Sequence, residues 1–359
     1  PADGYGGLSR AVFDIDSVTS GFRDVLGLNP LSWNDRTSDA RNIDTACSQA
    51  DNWRDEIRSV GFIVYRGIDD NKQWICSGAL VNNTDGDISK LYFLTANHCN
   101  VDPPTANVYW NYENSYCRTP GGTLSGQEGD GPADHVQIGA TYVASRESTD
   151  FRLLRLNGSA NPNYNLFWAG WDGSSVLPQK GVGIHHPNGS DKRISFDDDY
   201  VSRWFGSDDF LYVDYDRGGA QTGSSGSPLF DQNKRVVGQL FGQHNRYLEC
   251  EFKCMEYGWL SRSWYGDSTP TSQLVSTLAK SHDWATSING RDSRTGGIGG
   301  RVQYANGVPA VGATVIFQGG AIKSSTTDAA GYYSFGLVPY GPTEITAYVE
   351  TPSQTAFRR

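Results

Sequence analysis

A serine set between glycines, a histidine beside a cysteine and an aspartate heading an apolar run are the residues here best suited to covalent chemistry. Ser225 lies in G-S-S-G-S-P, residues 223–228. A serine hydroxyl is a weak nucleophile until a neighbouring base takes its proton. Glycines on both sides let the backbone turn sharply and aim N–H groups at a developing oxyanion. His98 lies in T-A-N-H-C, after an apolar stretch, with Cys99 directly following. A disulfide from Cys99 to Cys76, 23 residues earlier, would hold rigid the backbone that carries the imidazole. Asp150 precedes F-R-L-L-R-L and could hold the neutral tautomer of His98 and stabilise the imidazolium as it forms. Each residue alone also has a plain structural reading: a Gly/Ser loop, a structural histidine, an aspartate that starts a strand. They appear in the order His, Asp, Ser at intervals of 52 and 75 residues.

These residues need rigid elements to hold them, and the pattern supplies mostly strands. Apolar alternation between turn residues predicts strands over 61–67, 74–81, 91–96, 106–112, 151–156, 210–215, 235–241 and 258–264. One helix is expected over 271–281, with Ser272 as cap and Leu274 and Leu278 one turn apart. Many strands and one late helix predict an all-β fold. Residues 1–46 hold no cysteine and read as an N-terminal extension, while 47–292 contain all six. Residues 293–299 read as a Gly-rich linker, and 300–359 as short alternating strands with turns at Asn306-Gly307 and Ala330-Gly331.

Composition narrows the classes. A net charge of −10 argues against nucleic acid as a partner, because phosphate binding needs a cationic surface. No run of 18 apolar residues is present, so no membrane-spanning helix is expected. The cysteines stand at 47, 76, 99, 117, 250 and 254, without paired CxxC knuckles, which favours disulfides in an oxidising compartment over structural zinc. The chain carries no leader at Pro1, so its numbering is expected to start within a longer precursor or after processing. His185 and His186, adjacent and expected to point opposite ways, read as structural. The runs 197–199 and 208–209 read as exposed acidic loops rather than calcium ligands.

The motifs carry a resemblance. T-A-N-H-C, Asp150-F-R-L-L and G-S-S-G-S-P resemble the T-A-A-H-C, D-x-x-L-L and G-D-S-G-G-P of trypsin-like serine proteases. Over 42–292 the chain resembles the bacterial lysyl endopeptidases. The shared stretches are N-I-D-x-x-C (42–47), V-N-N-T (81–84), V-Y-W-N-Y (108–112), N-L-F-W-A-G-W-D (165–172), I-H-H-P-N (184–188) and K-R-I-S (192–195). Residues 300–359 resemble the carboxypeptidase regulatory-like, transthyretin-related β-sandwich.

The resemblance implies a trypsin-like double β-barrel followed by a small β-sandwich. It also implies a secreted bacterial serine endopeptidase acting on polypeptides without metal or organic cofactor. His98, Asp150 and Ser225 would form the triad, and the N–H groups of Gly223 and Ser225 the oxyanion hole. Leu240, Phe241 and Gly242 would offer an edge to extended substrate. Bridges Cys47–Cys117 and Cys76–Cys99 are implied. Arg41 takes the place of one partner of the lysyl enzymes' third bridge, so Cys250 and Cys254 are expected to pair together. Trp204 falls where the family has a site-lining tryptophan. The register of the family's pocket aspartate falls on Met255, with Glu256 one residue later. Glu256 is the nominee to bind Arg or Lys, with Glu249 and Glu251 as alternates. Ser224 replaces the aspartate that in vertebrate trypsins pairs with a freed N-terminal amine, so that activation switch is not expected. Mature N-termini in the family align near Arg36 and Arg41, so residues 1–36 are expected to be zymogen sequence packed on the protease. The C-terminal sandwich would bind a surface or a secretion partner. The alternatives are a protease of non-basic specificity and a non-catalytic adhesin built on a protease fold.

Overall fold

Alternation in Phe-Arg-Leu-Leu-Arg-Leu divides two cores along one strand, Phe151–Leu156. Phe151 and Leu153 turn towards residues shared by two sheets, while Leu154 and Leu156 turn into the interior of the first sheet. A computed structural model describes residues 37–70, 72–243, 250, 252–279, 285–292, 295–319, 321–339, 344–349 and 355–358.

The first sheet has seven antiparallel strands, in the order Val136–Ile138, Asn107–Tyr109, Val60–Arg66, Gln73–Val81, Tyr92–Ala96, Phe151–Leu156 and Ala140–Arg146. Its two outermost strands are consecutive in the chain and separated only by Gly139, so the sheet must curl until its edges meet. Gly139 has a φ of +75°, donates to the Ala106 carbonyl at 2.6 Å on one side and accepts from the Asn157 N–H at 3.0 Å on the other, which joins the two edges. Ile63, Leu80, Phe93, Trp110 and Leu154 fill the interior.

The second sheet runs Ile43–Asp44, Arg193–Asp197, Gly181–His185, Pro228–Phe230, Arg235–Gln243, Cys254–Trp259, Phe210–Asp214 and Ser202–Arg203. It also curls, with a bridge from Phe196 to Arg217, just beyond Phe210–Asp214. Leu211, Val213, Leu229, Val237, Met255 and Tyr257 form its core. Between the sheets lies a third core to which both contribute, including Val60, Leu94 and Leu153 from one and Ile184, Ile194, Phe230 and Val236 from the other. The result is a double β-barrel.

Four expectations change. The boundary at 46 cuts into the fold, because Ile43–Asp44 pairs with Ile194 and Arg193, and the buried Asp44 carboxylate meets Arg118 and Arg193 at 2.6 Å each. A buried carboxylate needs such partners. Residues 1–36, with the expected packing of a zymogen segment, lie outside the described residues. The strand expected over 258–264 divides into the end of Cys254–Trp259 and a helix, Leu260–Tyr265, whose Leu260 and Trp264 lie one turn apart in the shared core. The later helix is only Val275–Leu278, preceded by Leu274 with no side-chain cap, so Ser272 does not cap it. Finally, the stretch read as a linker is strand from Thr295 onward. Thr295–Arg301 pairs with Tyr332–Pro339, a Gly-rich strand held by backbone bonds that need no side chains.

Beyond it, Ala321–Thr326, Thr314–Gly319, Glu344–Val349 and Thr355–Arg358 form a four-stranded sheet. Val315 and Phe317 of this sheet pack on Phe335 of the two-stranded one, making a small sandwich. Turns occur at both expected sites, with Gly307 and Gly331 each at a φ of +81°.

Candidate active site

Strand register sets the first two residues. Ala96 lies opposite Phe151, so the residues just past these strand ends, Asn97–His98 and Asp150, fall side by side. The Asn97 N–H donates to the Asp150 carbonyl at 2.7 Å. Asp150 has a φ of +56°, a conformation uncommon for a residue with a side chain. So held, its carboxylate accepts from the His98 backbone N–H at 2.7 Å and meets His98 Nδ1 at 2.7 Å. Thr149, next to it, accepts from Gln239 of the second sheet at 2.7 Å. Cys76–Cys99 ties the His98 loop to the strand Gln73–Val81, and Cys47–Cys117 and Cys250–Cys254 are also bonded.

Ser225 arrives from the second sheet, in the turn before Pro228–Phe230. Its carbonyl accepts from the Ser77 N–H at 2.8 Å, and the Gly226 N–H donates to the Leu240 carbonyl at 2.8 Å. A Cβ on Gly226 would come within 2.2 Å of Thr95 Oγ1 and 2.5 Å of the Ser77 carbonyl, at a φ of +80°. Only glycine lets the loop sit this close to the first barrel. Ser225 Oγ then lies 2.9 Å from His98 Nε2. Because the carboxylate accepts from Nδ1–H, Nε2 of the neutral ring is free to accept from the serine hydroxyl. Burial raises the Asp150 carboxyl above the ordinary aspartate range, opposed by the bonds from His98.

The backbone of the serine loop is oriented by its carbonyls. The Thr222 carbonyl accepts from the Asn188 N–H at 2.6 Å, and the Ser224 carbonyl from the Ser227 N–H at 3.0 Å. In a trans peptide the N–H points opposite to its carbonyl, so the N–H groups of Gly223 and Ser225 are turned away from those partners. Among the described residues neither has a hydrogen-bond partner. Two N–H groups beside a serine hydroxyl are the kind of donors that can stabilise an oxyanion.

The expected substrate residues divide. Leu240 is buried in the barrel core, and both its N–H and carbonyl are used, by Ser227 and Gly226. It therefore offers no edge. From Phe241 the strand keeps Cys254–Trp259 on one side and, among the described residues, no strand on the other. The Phe241 ring lies perpendicular to His98 with centroids 5.6 Å apart, and 5.1 Å from Phe210. Trp204 lies across Phe210, 6.5 Å away. Among the described residues, a Cβ at Gly242 would meet nothing within 4 Å.

Glu256 pairs across to Gly242 on one side and Tyr212 on the other. Its neighbours Met255 and Tyr257 point into the barrel core, so the register that the resemblance puts on Met255 cannot supply a pocket acid. Glu256 and Gly258 share the opposite face. A Cβ on Gly258 would lie 1.9 Å from the Thr149 carbonyl, so that face abuts the loop carrying Asp150. Glu249 and Glu251 lie outside the described residues.

The acidic run read as exposed is exposed only in part. Asp197 is buried, and its carboxylate lies with those of Asp199 and Asp216 within 4.8 Å. Burial, with Asp216 and Asp199 nearby, pushes the Asp197 carboxyl up to about 6.

Sequence reading passes over the layer behind the serine loop. His185, fully buried, places Nδ1 2.9 Å from Ser224 Oγ and Nε2 3.0 Å from Ser195 Oγ. The Ser77 hydroxyl donates to the Gly223 carbonyl at 2.9 Å and receives the His186 N–H at 3.0 Å. The one signal for it was the pair of histidines in I-H-H-P-N.

A double β-barrel with a histidine and an aspartate from one sheet and a serine from the other defines the class of trypsin-like serine proteases. Within it, the family model for the lysyl endopeptidase C-terminal domain matches residues 36–247, more than half of the chain, and the chain belongs to that family. A lysyl endopeptidase of Pseudomonas aeruginosa is 26% identical over 238 residues, which cover 62% of this chain and 47% of that protein. The chain thus spans about half the length of this curated relative. Solved structures of similar backbone include the thermostable serine protease AL20 from an extremophilic microorganism, at 13% identity and a TM-score of 0.42. That match covers 57% of this chain and 92% of the other. Protease Anisep from Arthrobacter nicotinovorans, also at 13% identity, has a TM-score of 0.40 and covers 56% and 90%.

Proposed function

We propose that this chain is a secreted serine endopeptidase that cuts after Arg or Lys, with His98, Asp150 and Ser225 as its triad. The observation that carries the reading is the continuous hydrogen-bond line from the Asp150 carboxylate through His98 to Ser225 Oγ, at 2.7 and 2.9 Å, beside the free N–H groups of Gly223 and Ser225. Ser225 Oγ attacks the scissile carbonyl carbon as its proton passes to His98 Nε2. The carbonyl electron pair moves onto oxygen, where the two N–H groups receive it. The pair returns as the C–N bond breaks, and His98 gives its proton to the leaving amine. A water molecule, deprotonated by His98, then cleaves the acyl ester, releasing a carboxylic acid product and restoring Ser225. Side chains and backbone alone supply base, nucleophile and charge stabilisation, so the step calls for no cofactor.

Extended substrate would pair with the open edge at Phe241 and Gly242, adding a strand. A cationic side chain desolvated in a pocket needs a paired charge, and Glu256 is the acid on the cleft-side face. Trp204 would lie along the aliphatic stem or guanidinium plane. The described disulfides fit an oxidising compartment, and no described helix is long and apolar enough to cross a membrane. Residues 300–359 would be a carboxypeptidase regulatory-like accessory domain that contacts a surface or secretion partner, and 1–36 a precursor segment. Turnover of a peptide p-nitroanilide ending in Arg tests the reading. Ser225→Ala should lower it by several powers of ten, and a variant keeping a tenth of the activity would overturn the mechanism.

A further inference from the structure

With a neutral imidazole, the five hydrogen bonds behind the serine loop have only one consistent arrangement of protons. The Ser195 hydroxyl donates to the Gly219 carbonyl at 3.1 Å, and Ser195 Oγ accepts from the Gly219 N–H at 2.9 Å. Its single proton is thereby used, so at its 3.0 Å contact with His185 Nε2 the imidazole must donate. His185 Nδ1 then carries no proton and accepts, so the Ser224 hydroxyl donates to it at 2.9 Å. Ser224 Oγ in turn accepts from the Gln221 N–H at 3.2 Å. His185, Ser195 and Ser224 are all buried. Burial, together with nearby Arg193, lowers the His185 pKa to about 3, which keeps the ring neutral, as this arrangement requires.

We propose that His185 and Ser224 are positioning residues that hold the oxyanion cradle ready by this neutral relay, an inference that rests on the serine-protease reading above. Ser224 stands between the two cradle N–H groups, and its side chain is drawn away from the cleft towards the strand Gly181–His185. The same relay fastens the loop twice more, at the Gly219 and Gln221 N–H groups, so Ser224 cannot leave this layer without breaking a buried bond. Breaking one leaves a buried donor or acceptor without a partner, which is costly. Flipping either flanking peptide would replace a donor at the oxyanion with a carbonyl. The relay needs no charged partner for Ser224, so the cradle stands independently of any freed N-terminal amine.

The test uses the full chain, with kcat and KM measured on one good peptide substrate. Ser224→Ala should lower kcat about tenfold or more and move KM less than about twofold, because the cradle acts mainly in the transition state. His185→Asn can keep an acceptor or donor at the Nδ1 place and should retain kcat within about threefold. His185→Gln reaches only the Nε2 place and should behave like Ser224→Ala. Equal, small effects of all three on an active enzyme would overturn the inference alone. A wild-type chain without hydrolytic activity, and without phosphonate labelling at Ser225, would overturn the serine-protease reading and this inference together. Should the variants fail to fold, nitrogen NMR of the histidine-labelled wild type still decides. The inference expects a neutral His185 protonated on Nε2 at pH 7, and a ring protonated on Nδ1 would contradict it.

Discussion

The carboxylate of Asp150 holds His98 at two points, one oxygen on its backbone N–H and the other 2.7 Å from Nδ1. The first bond fixes where the residue stands and the second fixes its tautomer. Asp150→Asn would keep the first and spoil the second, since an amide N–H facing the ring favours a proton on Nε2. Turnover should fall by three to four orders of magnitude, roughly 10³–10⁴, with the fold intact. Stopped-time hydrolysis assays with circular dichroism check this. A loss below tenfold would remove Asp150 from the mechanism.

The Cys76–Cys99 bridge closes a loop of 23 residues that leads directly into His98. Cys76→Ala with Cys99→Ala should lower unfolding stability by about 3 kcal/mol in the chain-entropy model. Loosening the imidazole should also lower kcat more than it raises KM. Denaturant unfolding and steady-state kinetics measure the two effects separately, and unchanged kcat would mean that the strand pair alone positions His98.

Asp197 gives a pH signature in stability. Its carboxyl is raised to about 6 in the folded chain, from about 3.8 otherwise. The folded state therefore holds this proton more tightly than the unfolded state does. That contribution is present below pH 4 and is lost as pH rises through 6. Asp197→Asn, which keeps a carbonyl oxygen for the Asp199 N–H at 3.1 Å, should raise the melting temperature at pH 7 and change it little at pH 4. A lower melting temperature at pH 7 would show that the charged form is the stabilising one.

The proposed basic specificity rests on Glu256. On substrates differing only in the residue before the scissile bond, Arg and Lys should both exceed Leu by at least a hundredfold in kcat/KM. A longer acid could favour the bidentate fork of Arg. Glu256→Gln should abolish most of that preference. Equal activity on Leu and Arg would exclude basic specificity, and an unchanged preference in the variant would transfer the role to Glu249 or Glu251.

What could be read from the sequence was what chemistry forces on residue types. That His98, Asp150 and Ser225 come together was legible because three short motifs carry them. Side-of-strand details were not, since they depend on which neighbour each peptide bonds. Leu240 is spent inside the barrel while Phe241, one residue on, lies at the open edge. The same one-residue offset separates Met255, in the core, from Glu256, on the opposite face. The helix Leu260–Tyr265 was hidden because its aromatic and apolar residues suit a buried strand equally well. The His185–Ser224 bond joins residues 39 apart, with no motif linking them, and only the packing of two strands against a loop brings them together.

The most direct measurement is covalent labelling of the full chain by a fluorophosphonate, followed by mass mapping of the modified peptide. The account predicts stoichiometric modification on Ser225, lost in Ser225→Ala and slowed by several powers of ten in His98→Ala, since one hydroxyl is activated by one imidazole. Labelling of another serine, or labelling of Ser225 that persists at the wild-type rate without His98, would contradict it.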